Sequence, residues 1–476
     1  MKLNTKILSL VLGFISLFAS SLTVANDSSI SGAACVIRSG EKIVLVKEIL
    51  TNKLSLPAGG VAKGESPKLA AQRETWEETG LVVSIKEELG RTEKAVFYDC
   101  VSDSDIVSFQ FNNRLDGYEL PIWFAPHYGI EVSSAMLIDP TVVPKQEYRF
   151  PDQLEWLGTV LPQATDQKVV FVGNLIEAAP AFHQIELSWM TQIQHLFLKL
   201  PSGIANIVEP LLLAGNWLAE PSLILILFPL LYWRFGKEFS YKVFFAVTMT
   251  SLLSLVAQQG FAFPRPHVYL PALDLAKSYG FSLPSLPIAV WSCVGVLFLN
   301  GTERLSINRW SLSLFFALLW LTAAKFYSGS AFLTDSVSGA LLGILCSWHL
   351  IRLESKPEVD AKALMTSKMV WVILLIACAV MTLFWPTPIF TYWLAIILTV
   401  LGLVITFERD ANIASGKALL MITVMLVLAN GLIGVAAEHV SSSSIASLSV
   451  EALRYPLLIC LFVFSVRKMS RVDTAA

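Results

Sequence analysis

The residues whose spacing carries the most chemistry are Glu74, Glu77 and Glu78. They stand at i, i+3 and i+4, so a helix puts all three carboxylates on one face. Ser66-Pro67 supplies an N-cap hydroxyl and a proline at the first helical position, and Gly80 suits the left-handed residue that ends a helix. Three like charges on one face repel one another, so helix stability does not explain them. Hard divalent cations take oxygen ligands, and magnesium combines carboxylates with phosphate oxygens of a substrate. Arg73 is placed to pair with one carboxylate and fix its rotamer. The stretch Leu56-Pro57-Ala58-Gly59-Gly60 lets bare backbone approach a metal or a phosphate.

This spacing resembles the Nudix box: glycine, five residues, glutamate, seven residues, then Arg-Glu-aliphatic-X-Glu-Glu-X-Gly-aliphatic. The matching positions are Gly59, Glu65, Arg73, Glu74, Glu77, Glu78, Gly80 and Leu81, and Thr75 stands where an aliphatic residue is usual. The resemblance covers about residues 30–165. It implies an α/β/α sandwich with a mixed sheet and hydrolysis of a diphosphate linked to another moiety. By the same resemblance Glu74, Glu77 and Glu78 hold magnesium or manganese, with Gly59 adding its carbonyl. Glu77, Glu78, Glu74 and Arg73 form the implied catalytic group, and Gly59, Glu65 and Gly80 the structural positions of the box. The general base is left unassigned among the glutamates, because family members differ in it. Substrate choice in such proteins lies outside the box, here in loops 98–106 and 113–130. Tyr98, Trp123, Phe124 and Tyr128 in that region either stack on a base or fill the core, with core the favoured reading.

The rest of the chain fixes where this chemistry happens. Of 476 residues, 54% are apolar and 15% charged, against about 25% charged in an ordinary soluble domain. Mean hydropathy is +0.61. A single soluble globule and a disordered chain are excluded. Net charge is −2, so no basic excess exists for phosphate neutralisation, and nucleic acid is not an expected partner. Lys2, Lys6, the apolar run Ile7–Phe18, and Thr23 with Ala25 read as an export signal cleaved after Ala25. Export leaves Cys35 and Cys100 in an oxidising compartment, where they either pair or stay as two buried thiols. Residues 166–203 read as a linker. Beyond Ser202, apolar runs near 222–235, 241–260, 286–300, 309–326, 334–352, 369–386, 389–406, 417–437 and 451–467 predict about nine membrane-spanning helices. The stretch 204–220, broken by Glu209, Pro210 and Asn216, predicts an interfacial or re-entrant helix. Basic residues concentrate in alternate loops, such as Arg234, Lys237, Lys242 and Arg352, Lys356, Lys362. The positive-inside rule makes those loops cytoplasmic and puts residues 26–202 on the periplasmic or extracellular side.

The helical half, over 204–355, resembles the type 2 phosphatidic acid phosphatases in three degenerate blocks: Gln258 with Arg265-Pro266, then Pro284-Ser285-Leu286-Pro287, then Ala324-Lys325 with Ala331 and Asp335. That family needs a histidine nucleophile and a histidine acid. Pro287 and Ala331 occupy those positions here, so neither phosphohistidine nor general acid is available. The resemblance implies at most a vestigial phosphate site of Arg265, Ser285, Lys325 and Asp335, and the alternative is that Arg265 and Lys325 merely cap helix ends. His267 is a poor substitute nucleophile. Residues 356–476 add further helices, where Glu438, His439 and Glu451 read more simply as a solvated loop than as a metal site.

The expected fold is therefore α/β followed by a polytopic helical bundle. The expected function is a membrane-anchored hydrolase using magnesium or manganese on a diphosphate-containing small molecule or lipid, in contact with membrane lipids. The competing readings are a lipid phosphate phosphatase of the undecaprenyl diphosphate type and a non-enzymatic lipid-binding scaffold.

Overall fold

The computed structural model describes residues 30–407 and 415–473, so the expected export signal lies outside the described residues. The first half is built on alternation. In β1 (Gly32–Val36), Ala33 and Cys35 face one apolar cluster while Ala34 and Val36 face another. β3 (Lys42–Glu48) and β10 (Val132–Ile138) divide their side chains the same way. Successive strand residues point to opposite faces, so each face needs its own cover. The helix α1 (Pro67–Thr79) covers one face through Ala70 and Ala71, and α2 (Pro151–Val160) covers the other through Leu154 and Leu157. The result is an α/β/α sandwich.

Its sheets are mixed. One has the order β5 (Ala58–Gly60), β1, β7 (Ala95–Ser102), β6 (Val83–Arg91), with β1 and β7 parallel and the other pairs antiparallel. The other runs β2 (Arg38–Ser39), β3, β10, β9 (Tyr118–Leu120), with β4 (Leu54–Ser55) added on β3. A disulfide joins Cys35 to Cys100, across the parallel β1–β7 pair, which decides the open question about these cysteines. The segment expected as a linker contributes structure: β11 (Val169–Val172) pairs in parallel with β8 (Ile106–Phe109). Gln167 also donates to the Cys100 carbonyl and accepts from the Ser102 amide.

Helices α3 (Ala181–Leu198) and α4 (Ser202–Leu213) follow. The next helix, α5 (Ile224–Phe261), is broken at Gly236, where φ is 78° and ψ −178°. Phe228 and Phe244 stack with ring centroids 6.0 Å apart, as do Phe235 and Phe239 at 4.9 Å. One straight helix would separate positions 228 and 244 by about 24 Å. The chain therefore folds back at Gly236, and only glycine takes that backbone conformation without strain. The remaining long helices are α6 (Leu286–Gly301), α7 (Arg309–Tyr327), α8 (Leu333–Glu354), α9 (Lys368–Phe384), α10 (Pro388–Thr406), α11 (Gly416–His439) and α12 (Ser444–Asp473). Six helical intervals among the described residues are long and apolar enough to cross a membrane, and α6 and α9 are apolar but shorter.

The two halves touch through a cap formed by residues 262–285, which connects α5 to α6. Val268 and Phe281 of the cap pack against the core of the α/β domain. A second contact joins Arg149 to the Ser444 hydroxyl, 2.7 Å away.

Candidate functional site

The Ser66 hydroxyl accepts from the Leu69 amide and starts α1, and Gly80 ends it with φ 73°. The helix therefore holds Arg73, Glu74, Glu77 and Glu78 rigidly beside the β5 strand. Arg73 is the hub. Its guanidinium donates to both Glu65 oxygens at 3.0 Å, to Glu74 Oε1 and Glu77 Oε2 at 2.8 Å, and to the Gly60 carbonyl at 2.9 Å. Glu78 accepts from the Ala58 amide at 3.0 Å. All seven box positions named above as site residues, Gly59, Glu65, Arg73, Glu74, Glu77, Glu78 and Gly80, thus converge at one end of the sheet. Gly59 is required by close approach: a Cβ there would lie 2.0 Å from the Glu74 carboxyl carbon.

The electrostatics are unbalanced. Glu74 and Glu78 are only 7% and 5% exposed. Burial pushes both carboxyls up from their ordinary pKa, Glu78 well above it. Hydrogen bonds from Arg73 hold Glu65 below the usual range, and the same bonds raise Arg73. One guanidinium thus serves three carboxylates, while Glu78 has only a backbone amide.

Two further residues join this site that the sequence reading did not single out. His127 Nδ1 lies 3.2 Å from Glu131 Oε2, and its Nε2 lies 3.8 Å from Glu77 Oε2. The His127 amide donates to the Glu77 carbonyl at 2.7 Å. Ligand atoms of Glu74, His127 and Glu131 all fall within 4.8 Å of one another. The hydrogen bond with Glu131 raises His127 and lowers Glu131. The only hint in the sequence was the i, i+4 spacing of His127 and Glu131, which marks nothing by itself. A donor set of carboxylates with one imidazole, buried and short of positive charge, fits a divalent cation of the magnesium or manganese type.

Other expected residues fall elsewhere. Tyr98 and Tyr128 are core, Trp123 is partly buried against it, and Phe124 is 60% exposed and lies over Gly80. Thr75 fills the aliphatic position with its hydroxyl buried and unpartnered. In the helical half, Arg265 donates to three backbone carbonyls: Tyr279 at 2.7 Å, Ser330 at 2.5 Å and Phe281 at 3.1 Å. Asp335 Oδ2 accepts from the Phe332 amide at 2.7 Å and caps α8. The Ser285 amide donates to the Asp335 carbonyl, and Gln258 donates to the Pro284 carbonyl. The Lys325 ammonium makes no hydrogen bond or ion pair among the described residues, with Glu220 as its attracting charge. Glu438, His439 and Glu451 form no cluster: His439 bonds the Val435 carbonyl of its own helix, and Glu451 pairs with Arg454.

Comparison with known proteins agrees with the first half. The family model for the NUDIX domain matches residues 29–155. An RNA pyrophosphohydrolase of Roseobacter denitrificans is 36% identical over 92 residues, which is 19% of this chain and 56% of that relative. This chain thus spans little more than half the length of that curated relative. Two solved structures align with 30% of the chain. An ADP-ribose pyrophosphatase from Streptococcus suis has 20% identity and TM-score 0.21 over 97% of its length. A NUDIX hydrolase from Nitrosomonas europaea has 18% identity and TM-score 0.20 over 80% of its length. Residues 29–155 of this chain are a Nudix domain.

Proposed function

We propose that the chain is a membrane-anchored hydrolase of diphosphate linkages, with its chemistry in the exported α/β domain. The observation that carries this reading is the buried excess of carboxylate: Glu65, Glu74 and Glu77 share Arg73, and Glu78 has no cation. Glu74, Glu77, Glu78 and the Gly59 carbonyl are the ligands we assign to magnesium or manganese, and Arg73 fixes the rotamers of two of them. A bound divalent cation supplies charge neutralisation on the phosphates and lowers the pKa of water. Glu65 anchors Arg73, and Gly59 keeps the space that the Glu74 carboxylate occupies. A groove of about 570 Å³ beside Arg73, with Leu69, Trp76, Val82 and Val83 in its wall, suits an apolar or aromatic moiety attached to the diphosphate.

The membrane placement rests on the apolar helices and on the basic loops. The fold-back at Gly236 supports counting nine spans, which puts the α/β domain outside. The Cys35–Cys100 disulfide supports the same side, because such bonds persist in oxidising compartments. We read the helical half as an anchor of phosphatase-like descent without chemistry of its own, because Pro287 and Ala331 occupy its histidine positions.

The test is a substrate panel with the full chain in detergent: a nucleoside diphosphate sugar, a dinucleoside diphosphate and an isoprenyl diphosphate. Release of a monophosphate product that needs magnesium or manganese supports the reading. Release that is unchanged by a chelator contradicts it.

A further inference from the structure

The loop that brings His127 and Glu131 to the acidic cluster is held from its other side by the helical half. The loop itself is tight: the His127 carbonyl accepts from the amides of Ile130, Glu131 and Val132. One face of it meets α1 through the His127 amide and the Glu77 carbonyl. The opposite face meets the cap. Trp123 packs on Tyr269 at 5.4 Å between ring centroids, and Tyr128 packs edge-on against Phe281 at 6.0 Å. Gly129 and Gly280 abut with no room for side chains: a Cβ on Gly129 would lie 3.0 Å from the Gly280 Cα. Tyr128 is 3% exposed, so this contact is dry.

The cap is in turn tied down to the end of α7. Arg265 reaches from the cap's start to the carbonyls of Tyr279, Phe281 and Ser330. The His267 ring bonds the Gly329 carbonyl at 3.2 Å, and the Leu275 amide donates to the Ser328 carbonyl. An unbroken path of packed groups therefore leads from the end of α7, through Arg265 and Phe281, to Tyr128 and His127. Side chains in such a path move together, because dense packing leaves no slack.

We propose that the cap of the helical half is a positioning element for the exported site: Tyr269, Gly280 and Phe281, fixed by Arg265, set His127 and Glu131 against Glu74 and Glu77. This rests on the divalent-metal reading above and adds that metal affinity at the exported site depends on the helical half. Phe281 and Arg265 act through the loop and touch no reacting group.

The experiment titrates Mn²⁺ alone into the full chain in detergent and follows the free-ion electron paramagnetic resonance signal. Phe281→Ala is expected to weaken Mn²⁺ binding by about tenfold, similar to His127→Ala, while Phe281→Tyr restores it. In a His127→Ala background, Phe281→Ala is expected to add less than twofold, since coupled residues are non-additive. Unchanged Mn²⁺ affinity in Phe281→Ala, with His127→Ala weakened, overturns the proposal and leaves the metal reading intact. Full additivity of the two losses also overturns it, as does a Phe281→Tyr protein that folds, by circular dichroism, yet binds no better than Phe281→Ala. A wild-type chain that binds no Mn²⁺ sinks the metal reading itself, and this proposal with it.

Discussion

The polar clusters around Arg73 and around Arg265 start from similar material, an arginine among acidic and hydroxyl side chains at a helix end. They differ in what is left over. Arg73 is shared among Glu65, Glu74 and Glu77, and Glu78 receives one amide, so carboxylate capacity exceeds the protein's own cations. Arg265 is committed to three backbone carbonyls, and Asp335 to the amide of Phe332. A buried site with unused ligand capacity is costly unless something binds it, whereas a satisfied one is architecture. The contrast separates a place built for an ion from a place built to hold a cap. Lys325 is the one residue of the second cluster that keeps a free ammonium among the described residues.

If that contrast is right, mutations at the two clusters fail in different ways. Glu78→Gln keeps the shape of α1 and removes a ligand charge, so kcat on the preferred diphosphate is expected to fall by at least about 10²-fold with the fold intact. Steady-state kinetics with circular dichroism on the same sample checks both halves of that statement. Replacing Cys35 and Cys100 by serine opens a bond of sequence separation 65 and is expected to cost the exported domain about 4 kcal/mol. Denaturant titration measures the loss, and chemistry at low temperature should survive it. Arg265→Ala leaves buried carbonyls without donors, at about 1–3 kcal/mol each. Its thermal midpoint should drop while kcat at saturating metal stays near wild type. A collapse of kcat in Arg265→Ala at saturating metal, without loss of fold, would erase the distinction between the clusters.

The smallest expected effect concerns Glu119 on β9, whose carboxyl burial pushes up from 4.5 to about 7, with Asp274 of the cap adding to the rise. The folded protein keeps this proton to about pH 7, while the unfolded chain releases it near 4.5. The folded state therefore binds more protons in that window, and stability falls as pH rises through it. Glu119→Gln should flatten this dependence, raising the thermal midpoint at pH 8 relative to wild type by on the order of 2 °C and changing little at pH 4.

Most of the exported site was legible because it is local. A cap, a proline, four charged residues and a glycine within one helix fix their own geometry, and Gly59 and Glu65 stand just before it. His127 and Glu131 were not legible, because only the return of the chain before β10 brings them back to α1. Thr75 tolerates its aliphatic position for a reason visible only in three dimensions: the site is fully buried and the hydroxyl bonds nothing. The apolar runs located the helices well, since lipid and core both select long apolar stretches. They did not say where helices end. The hydrophobic pattern 451–467 became α12, Ser444–Asp473, and the pair of runs around Gly236 became a fold-back. Strand β11 was missed because Val169–Val172 is four residues long and pairs with a strand about sixty residues earlier. Arg265 looked like a phosphate ligand because sequence gives a residue's charge and leaves out its partners.

The most direct test puts the two clusters in one assay. Release of the monophosphate product from the best diphosphate of the panel is measured for the full chain as wild type, Glu78→Gln and Lys325→Ala, each with magnesium and with a chelator. The account predicts metal-dependent release that Glu78→Gln abolishes and Lys325→Ala leaves within about a factor of two, as expected for a site that acts through metal-held charge. Metal-independent release, lost in Lys325→Ala and kept in Glu78→Gln, would contradict it and place the chemistry in the membrane.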